Sequence, residues 1–236
     1  MSHLRQLRHA PVAWAGFWLV LAIQALLANA AATDDLNGWL TTFGLSRAGF
    51  LSGQIWQIAS YGLIHGGWWH AGLNAVFMLL IGARVEHIAG HRTLLLATLA
   101  GVLGGGLGHL LLGAGLLVGL SGGCMALLLL VTTLSPQSRM MPLPVSGRSL
   151  GLGLLLAAAL LSLLNPALGV PGAALLGAWL ATHGLADWFQ IGHACHLGGG
   201  LAGWLYGRWL LRAPVTLHHL RRARTRRERR MNSLER

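Results

Sequence analysis

Long apolar runs, separated by short segments that carry glycine, proline or arginine, occupy most of this chain. An α-helix needs about 20 predominantly apolar residues to cross the ~30 Å hydrocarbon core of a bilayer. Runs of this kind predict six membrane-spanning helices, at residues 12–30, 68–86, 93–112, 116–134, 149–167 and 193–211. We therefore expect an all-α membrane protein, in which a six-helix membrane domain (12–212) follows a short N-terminal segment (1–11) and precedes a tail (213–236).

The positions of the arginines predict how these helices are oriented. Cytoplasmic loops of membrane proteins carry an excess of positive charge. If both chain ends are cytoplasmic, sixteen of the 17 basic residues lie on the cytoplasmic side, and Arg47 alone lies on the outer side. Five or seven spans would carry the basic tail to the opposite face and remove this bias. We therefore expect six spans with both termini in the cytoplasm.

Two segments need a separate interpretation. Residues 165–192 are interrupted by prolines and contain an apolar stretch, 173–181, that is too short to cross, so we expect a re-entrant or interfacial segment of an outer loop. The first 30 residues resemble a secretory signal that would be cleaved after Ala30. Their apolar stretch is long for a signal core, which favours a retained helix.

The longest outer connection, residues 31–67, is rich in aromatic side chains. Aromatic residues that flank membrane spans suit the membrane interface, where an apolar ring and a polar edge are both satisfied. We therefore expect this loop to lie partly in the headgroup region. Its aromatic residues include Trp39, Phe43, Phe50, Trp56 and Tyr61.

Composition supports a membrane protein and limits its chemistry. Hydrophobic residues make up 54% of the chain and charged residues 10%, against about 25% charged residues in a soluble domain. None of the six acidic residues falls in the middle of an apolar run. Chemistry at membrane depth must therefore use other side chains. The two cysteines, Cys124 and Cys195, are too few for a disulfide scaffold.

The net charge of +11 invites the interpretation of a nucleic-acid-binding protein, but the placement of the charge argues against it. Eight arginines lie between Arg221 and Arg236, directly behind the last apolar run. In that position they can meet anionic lipid headgroups. We therefore predict that the chain contacts the lipid bilayer and has no nucleic-acid partner.

A first polar cluster stands at the start of the second span. His70 and Asn74 are four residues apart and share a helix face, and His65 precedes them by about one turn. Polar side chains at membrane depth are costly unless they are used or paired. The cluster fits an oxyanion hole, and it fits hydrogen bonding between helices equally well.

Ser121 forms a second cluster, in the outer half of the fourth predicted span. A serine inside a helix usually bonds back to a carbonyl group one turn earlier. Here the surrounding glycines predict a groove that lets another helix come close. They recur at every fourth position, at Gly115, Gly119 and Gly123.

His196 begins the sixth span and is followed by a similar stripe of glycines. They are Gly199, Gly203 and Gly207. Two glycine-striped helices can approach until hydroxyl and imidazole form a hydrogen bond, and this pairing makes a serine nucleophilic. Because the spans offer no acid, the pair would be a dyad. The predicted topology brings His70, Ser121 and His196 to the same outer side.

This ordered set of residues resembles the rhomboid family of intramembrane serine proteases. The resemblance rests on His65, His70 and Asn74, then Gly119-x-Ser121-Gly122, then His196-x-x-Gly199-x-x-x-Gly203. It extends from about Trp56 to Gly207 and includes the order, the spacing and the six-span topology. The sequence departs from the family pattern at Gln57 and Met125, where arginine and tyrosine are frequent.

The resemblance implies roles for the individual residues. Ser121 would be the nucleophile and His196 the general base, and His70 and Asn74 would form the oxyanion hole with the backbone amide of Ser121. The resemblance implies neither a metal nor another cofactor. The residues to which it gives a structural role are His65, Glu86, Gly119, Gly122, Gly199 and Gly203.

Two other classes of function remain open. A catalytically inactive rhomboid-like protein would bind membrane clients, although such proteins typically lose the serine or the histidine, and this chain has both. A metal protein or transporter is suggested by four histidines near one surface: His65, His70, His193 and His196. The first two do not share a helix face, and no carboxylate joins the cluster.

The hypothesis that the protein is an intramembrane protease implies a class of substrate. Its partners would be single-span membrane proteins, cut near the outer ends of their helices after the scissile segment has unwound. Water must reach Ser121, and we expect the outer loop and residues 183–192 to cover the cavity and to open for substrate. The lack of lysine and of an organelle-type transit segment suggests a bacterial inner membrane.

Overall fold

The computed structural model describes residues 7–32, 35–139 and 144–212, and this part of the chain is predominantly helical. The predictions for the tail 213–236, and for residues 1–6 of the N-terminal segment, lie outside the described residues. The helices are α1 (Pro11–Ala32), α2 (Leu36–Phe43), α3 (Arg47–Leu51), α4 (Gln57–Ser60), α5 (Trp68–Ala89), α6 (His91–Leu112), α7 (Ser121–Leu134), α8 (Gly147–Leu164), α9 (Ala173–Leu180) and α10 (His193–Leu211).

Each of the six longest helices overlaps one of the six predicted spans. Four of them, α1, α5, α6 and α8, are long and apolar enough to cross a membrane. Helix α7 has only 14 residues, and α10 carries several glycines and histidines among its 19 residues. The chain is therefore an all-helical membrane protein, and the number of crossings and the side of each terminus remain predictions.

The fourth predicted span is wrong at its N-terminal end. Helix α7 begins at Ser121, whereas the sequence predicted a helix from residue 116. The residues before it include Gly115 and Gly119, with φ angles of 73° and 111°. These left-handed conformations are compatible with glycine and are incompatible with a regular helix. Ser121 is therefore the first residue of a helix, and Gly115 and Gly119 form no helical groove.

Helix α10 packs between α6 and α7, and glycines allow the close approach on both sides. A Cβ atom added at Gly104 of α6 would lie 2.9 Å from the carbonyl oxygen of Gly198. A Cβ atom added at Gly199 would lie 2.8 Å from the Cα atom of Gly122 on α7. Small residues at such contacts are how membrane helices gain packing energy without a hydrophobic driving force.

Helix α1 packs mainly against α5, and Glu86 joins the two helices. Its Oε1 atom accepts a hydrogen bond from the backbone N–H of Val12 at 3.2 Å, and its Oε2 atom accepts one from Ala13 at 3.0 Å. The first amides of a helix have no partner within the helix, and a carboxylate there is favoured by the helix dipole. The position of Glu86 thus fits the structural role that the resemblance implied.

Gln57, which is fully buried, organises the connection between α1 and α5. Its Nε2 atom donates to the carbonyl oxygen of Thr41 at 2.9 Å, and its Oε1 atom accepts from the N–H of Ser46 at 3.2 Å. The residue that departs from the family pattern therefore ties α4 to the segments around α2 and α3.

Tyr61 is not an interface residue, which corrects the expectation for this member of the aromatic loop. The side chain is fully buried, and its hydroxyl donates to the carbonyl oxygen of Val102 on α6 at 2.6 Å. Trp39 and Trp56, in contrast, are exposed. The sequence showed the aromatic character of the loop, but only the contact with a distant helix distinguishes Tyr61 from its neighbours.

The segment between α8 and α10 contains a short helix that cannot cross a bilayer. Helix α9 has eight residues, which corresponds to about 12 Å. Leu175 and Trp179 are exposed on it, and Gly177 packs against the carbonyl oxygen of Leu164 at the end of α8. An interfacial position for this segment remains a prediction.

Candidate active site

The backbone that leads into α7 is irregular and is held by other parts of the protein. With 14 residues, α7 is about 21 Å long, shorter than the ~30 Å core. Irregular backbone at membrane depth requires partners from the protein, because lipid offers none. Leu117 has such a partner in Leu45. Its N–H donates to the carbonyl oxygen of Leu45 at 2.8 Å, and its carbonyl oxygen accepts from the N–H of Leu45 at 2.9 Å.

Two histidines fix the residues immediately before the serine. The N–H of Leu120 donates to the Nε2 atom of His65 at 3.2 Å. A Cβ atom added at Gly119 would lie 2.6 Å from the Nε2 atom of His70, so the imidazole ring lies directly against this glycine. The two imidazole rings contact each other edge to face, with 5.1 Å between centroids. His65 and His70 therefore hold the two residues that directly precede Ser121.

His65 lies in the connection between α1 and α5 and must be neutral to accept the bond from Leu120. Only 2% of its surface is exposed. Burial, and then the neighbouring charge of His70, lowers the pKa of His65 from 6.5 to about 4. The ring therefore keeps its acceptor nitrogen at neutral pH and remains able to anchor the segment before Ser121.

We expect acid to destabilise the protein through His65. In the unfolded chain a histidine takes up a proton below about pH 6.5, whereas the folded protein excludes that proton until about pH 4. Stability is therefore lost as the pH falls through this window, by an amount of the order of 1–2 kcal/mol between about pH 7 and pH 5. Unfolding of the detergent-solubilised protein at several pH values measures the loss. The variant His65→Asn, which cannot titrate, should lose less stability, and equal pH dependence in the two proteins would contradict this assignment.

Ser121 and His196 line the same cavity. Ser121 is the first residue of α7, and His196 lies in the first turn of α10, where Gly122 and Gly199 bring the two helices together. The cavity has a volume of about 540 Å³. His70 and Asn74 also line it, so the structure places all four predicted catalytic residues around one space.

The two predicted dyad residues do not form a hydrogen bond in this structure. Within the described part of the chain, the Ser121 side chain interacts with the buried thiol of Cys195, the residue before His196, and the His196 ring has no side-chain hydrogen-bond partner. Catalytic hydrogen bonds are often long or poorly aligned in substrate-free enzymes and tighten with substrate. The fold therefore brings Ser121 and His196 to the same cavity, but the two side chains are not hydrogen-bonded to each other.

Asn74 is partly engaged by its surroundings. Its Nδ2 atom donates to the carbonyl oxygen of His70 at 3.1 Å, and its Oδ1 atom lies 3.6 Å from the Sγ atom of Cys124, which donates to it. A carboxamide NH₂ group has two donors. One N–H of Asn74 is therefore used within α5, and the second is available to another acceptor.

Sequence reasoning missed several polar residues that line the cavity. His109 comes from α6, Ser162 from α8, and Asn165 from the end of α8. The Nε2 atom of His109 is 3.2 Å from the carbonyl oxygen of Gly115, and the Ser162 hydroxyl donates to its own helix. Each is a single polar residue near the C-terminal end of an apolar run, and that shared position is the signal that could have identified them.

The histidines of the site form two pairs. His65 contacts His70, and His193 contacts His196 with 6.1 Å between ring centroids. His193 is the first residue of α10. Among the described residues, no three histidine, cysteine, aspartate or glutamate side chains are grouped so that they could hold a metal ion.

Comparison with known proteins identifies the family to which this chain belongs. Residues 52–213 match the Rhomboid domain family. A protein of Arabidopsis thaliana, "Rhomboid-like protein 16, chloroplastic", is 36% identical over 90 residues, which cover 38% of this chain and 28% of that protein. The chain thus spans little more than a quarter of that relative's length. The Rhomboid domain match, however, covers more than half of the chain and includes every residue of the cavity. This membrane protein belongs to the rhomboid family.

Proposed function

We propose that this protein is an intramembrane serine endopeptidase that cuts transmembrane-helix substrates near their outer ends through a Ser121–His196 dyad. The observation that carries the proposal is the shared cavity, in which a serine at a helix N-terminus and a histidine from a second helix face the same space. The glycine contact between α7 and α10 supports it, because it brings the backbones of the two helices that carry Ser121 and His196 into direct contact.

The proposed reaction begins with attack of the Ser121 hydroxyl oxygen on the scissile carbonyl carbon, while His196 takes the hydroxyl proton. The resulting tetrahedral intermediate carries a negative oxygen. His196 then gives the proton to the leaving amine, and an acyl-enzyme ester remains. Water, deprotonated by His196, attacks this ester and releases Ser121. No cofactor is needed for any of these steps.

The N-terminus of α7 offers donors for the negative oxygen. Because the helix begins at Ser121, its first backbone amides have no acceptor within the helix, and the helix dipole favours negative charge there. The side chains of His70 and Asn74 line the same cavity and can add further donors. Donors that are fixed before the reaction stabilise charge strongly in a site that excludes water.

The proposed setting follows from the sequence. We propose six spans with both termini in the cytoplasm, a bacterial inner membrane as the location, and single-span membrane proteins in the lipid bilayer as substrates. A substrate helix must unwind before its backbone can be attacked, so glycine, proline or small residues near its outer boundary favour cleavage. Nucleic acid has no part in this function.

An inactive rhomboid-like protein that binds membrane clients is the second candidate. The observation in its favour is that Ser121 and His196 are not hydrogen-bonded to each other in the described structure. The two candidates make opposite predictions for a reagent that modifies only activated serines.

The test combines cleavage with covalent labelling. The purified protein, in detergent and in lipid vesicles, is given a single-span substrate with a glycine-containing outer boundary, and a second sample is treated with a fluorophosphonate. We expect a cleavage product and a single adduct that mass spectrometry locates on Ser121. A folded protein that gives neither product nor adduct would contradict the protease function and support client binding.

A further inference from the structure

We propose that His193 is a positioning residue that couples the segment covering the cavity to the base His196. This inference deepens the proposed function and rests on it. The covering segment, here called the cap segment, comprises residues 186–192, from the 3-10 helix Ala186–Gln190 to the start of α10. Its last four residues line the cavity together with His193 and His196.

The first observation is the hydrogen bond between His193 and the cap segment. The Nε2 atom of His193 is 2.8 Å from the carbonyl oxygen of Trp188. A carbonyl oxygen only accepts, so Nε2 carries the hydrogen and donates it. In the neutral ring Nδ1 is then unprotonated. Only 9% of the surface of His193 is exposed, so this bond is largely shielded from competition with water.

The second observation is the contact between the two imidazole rings. His193 and His196 are three residues apart on α10 and therefore lie on neighbouring turns of one face. Their ring centroids are 6.1 Å apart and their planes are inclined by 81°, an edge-to-face contact. A ring that is held by the Trp188 carbonyl thus restricts the orientation of its neighbour.

His196 needs such a neighbour. In serine proteases with a triad, a carboxylate hydrogen-bonded to the histidine fixes its orientation. Here no described side chain forms a hydrogen bond with the His196 ring, and Asp187 in the cap segment is exposed. Packing must therefore orient the base, and His193 is the packed neighbour whose own position is fixed by a hydrogen bond.

The cap segment has the means to transmit a change to His193. At one end, Gly184 adopts a left-handed conformation with φ 91°, which separates the cap segment from α9. At the other end, Gly192 packs against Leu117, with 2.9 Å between an added Cβ atom and the leucine side chain. The Trp188 carbonyl already holds the His193 ring without substrate. When the cap segment moves to admit substrate, it shifts this carbonyl and the His193 ring, and the His193 ring changes the orientation of His196.

Three substitutions separate the parts of this coupling. His193→Ala removes the ring and the donor, His193→Phe keeps a ring but removes the donor, and His193→Gln keeps a donor. We expect the first two to lower kcat about tenfold or more while KM changes less than about threefold, since the base and not substrate binding is affected. The rate of fluorophosphonate labelling of Ser121 should fall by a similar factor. His193→Gln should recover at least a third of the parent kcat.

A second histidine gives the matched control. His183 is exposed, and its Nδ1 atom is 2.7 Å from the carbonyl oxygen of Trp179, but its ring contacts Trp179 and not the dyad. His183→Ala should therefore leave kcat and the labelling rate within about twofold of the parent. If His193→Ala does not fold, His193→Phe and His193→Gln still carry the comparison, because both fill the space of the imidazole.

The outcomes distinguish this inference from the proposed function. A parent protein that neither cleaves nor labels overturns both. An active parent whose His193→Ala and His193→Phe variants keep kcat and labelling within twofold overturns the inference and leaves the protease function intact. The coupling through Trp188 is also overturned if His193→Gln is as impaired as His193→Phe, or if KM rises as much as kcat falls.

Discussion

Replacing either Ser121 or His196 by alanine is expected to lower cleavage of a single-span substrate by about 10³-fold or more. Without the hydroxyl there is no nucleophile to form the acyl-enzyme, and without the imidazole the hydroxyl keeps its proton. Such groups act as a unit, so the double variant should be no worse than either single variant. Substrate cleavage in detergent, with the melting midpoint of each variant measured alongside, checks this expectation.

A second serine in the same cavity serves as the control for this prediction. Ser162 lines the cavity from α8, but its hydroxyl donates to the carbonyl oxygen of Ala158 at 2.7 Å within its own helix. We expect Ser162→Ala to retain most of the activity and to be labelled by the fluorophosphonate on Ser121. Cleavage that persists in Ser121→Ala would show that this serine is not the nucleophile.

Replacing Gly199 by valine is expected to prevent α7 and α10 from packing as they do in the native protein. An added Cβ atom would lie 2.8 Å from the Cα atom of Gly122, and it would collide with the carbonyl oxygen of that residue. Both atoms belong to the backbone of a buried helix and cannot move aside. Even Gly199→Ala should cost about 1–3 kcal/mol, the usual range for overpacking a core. Unfolding in detergent and size-exclusion chromatography measure the loss.

The matched control for the packing prediction is Gly153 on α8. No atom outside its own helix backbone lies within 4 Å of an added Cβ atom at this position. Gly153→Ala should therefore leave the melting midpoint unchanged or raise it slightly, because alanine favours a helix more than glycine does. If Gly199→Ala and Gly153→Ala behaved alike, the close contact between α7 and α10 would not exist as described.

The sequence alone was sufficient for the features that depend on local composition. The lengths of the apolar runs located the long helices, because crossing a bilayer requires a minimum length of apolar helix whatever surrounds it. The glycines at positions 199 and 203 indicated a close helix contact, because small residues in register are needed on the helix itself. The ordered motif around His70, Ser121 and His196 indicated the rhomboid family, which the Rhomboid domain match confirms.

Only the tertiary structure decided which polar groups meet, because a hydrogen-bond partner can come from any part of the chain. Helix α7 begins at Ser121 since the residues before it bond to distant segments, including His65. Tyr61 is buried since its partner, Val102, lies on another helix. His193 gains the Trp188 carbonyl as a partner from the conformation of the segment directly before α10, which the sequence pattern did not predict. The sequence thus determined the helices and the residues available for chemistry, and the packing of distant segments determined how those residues are held.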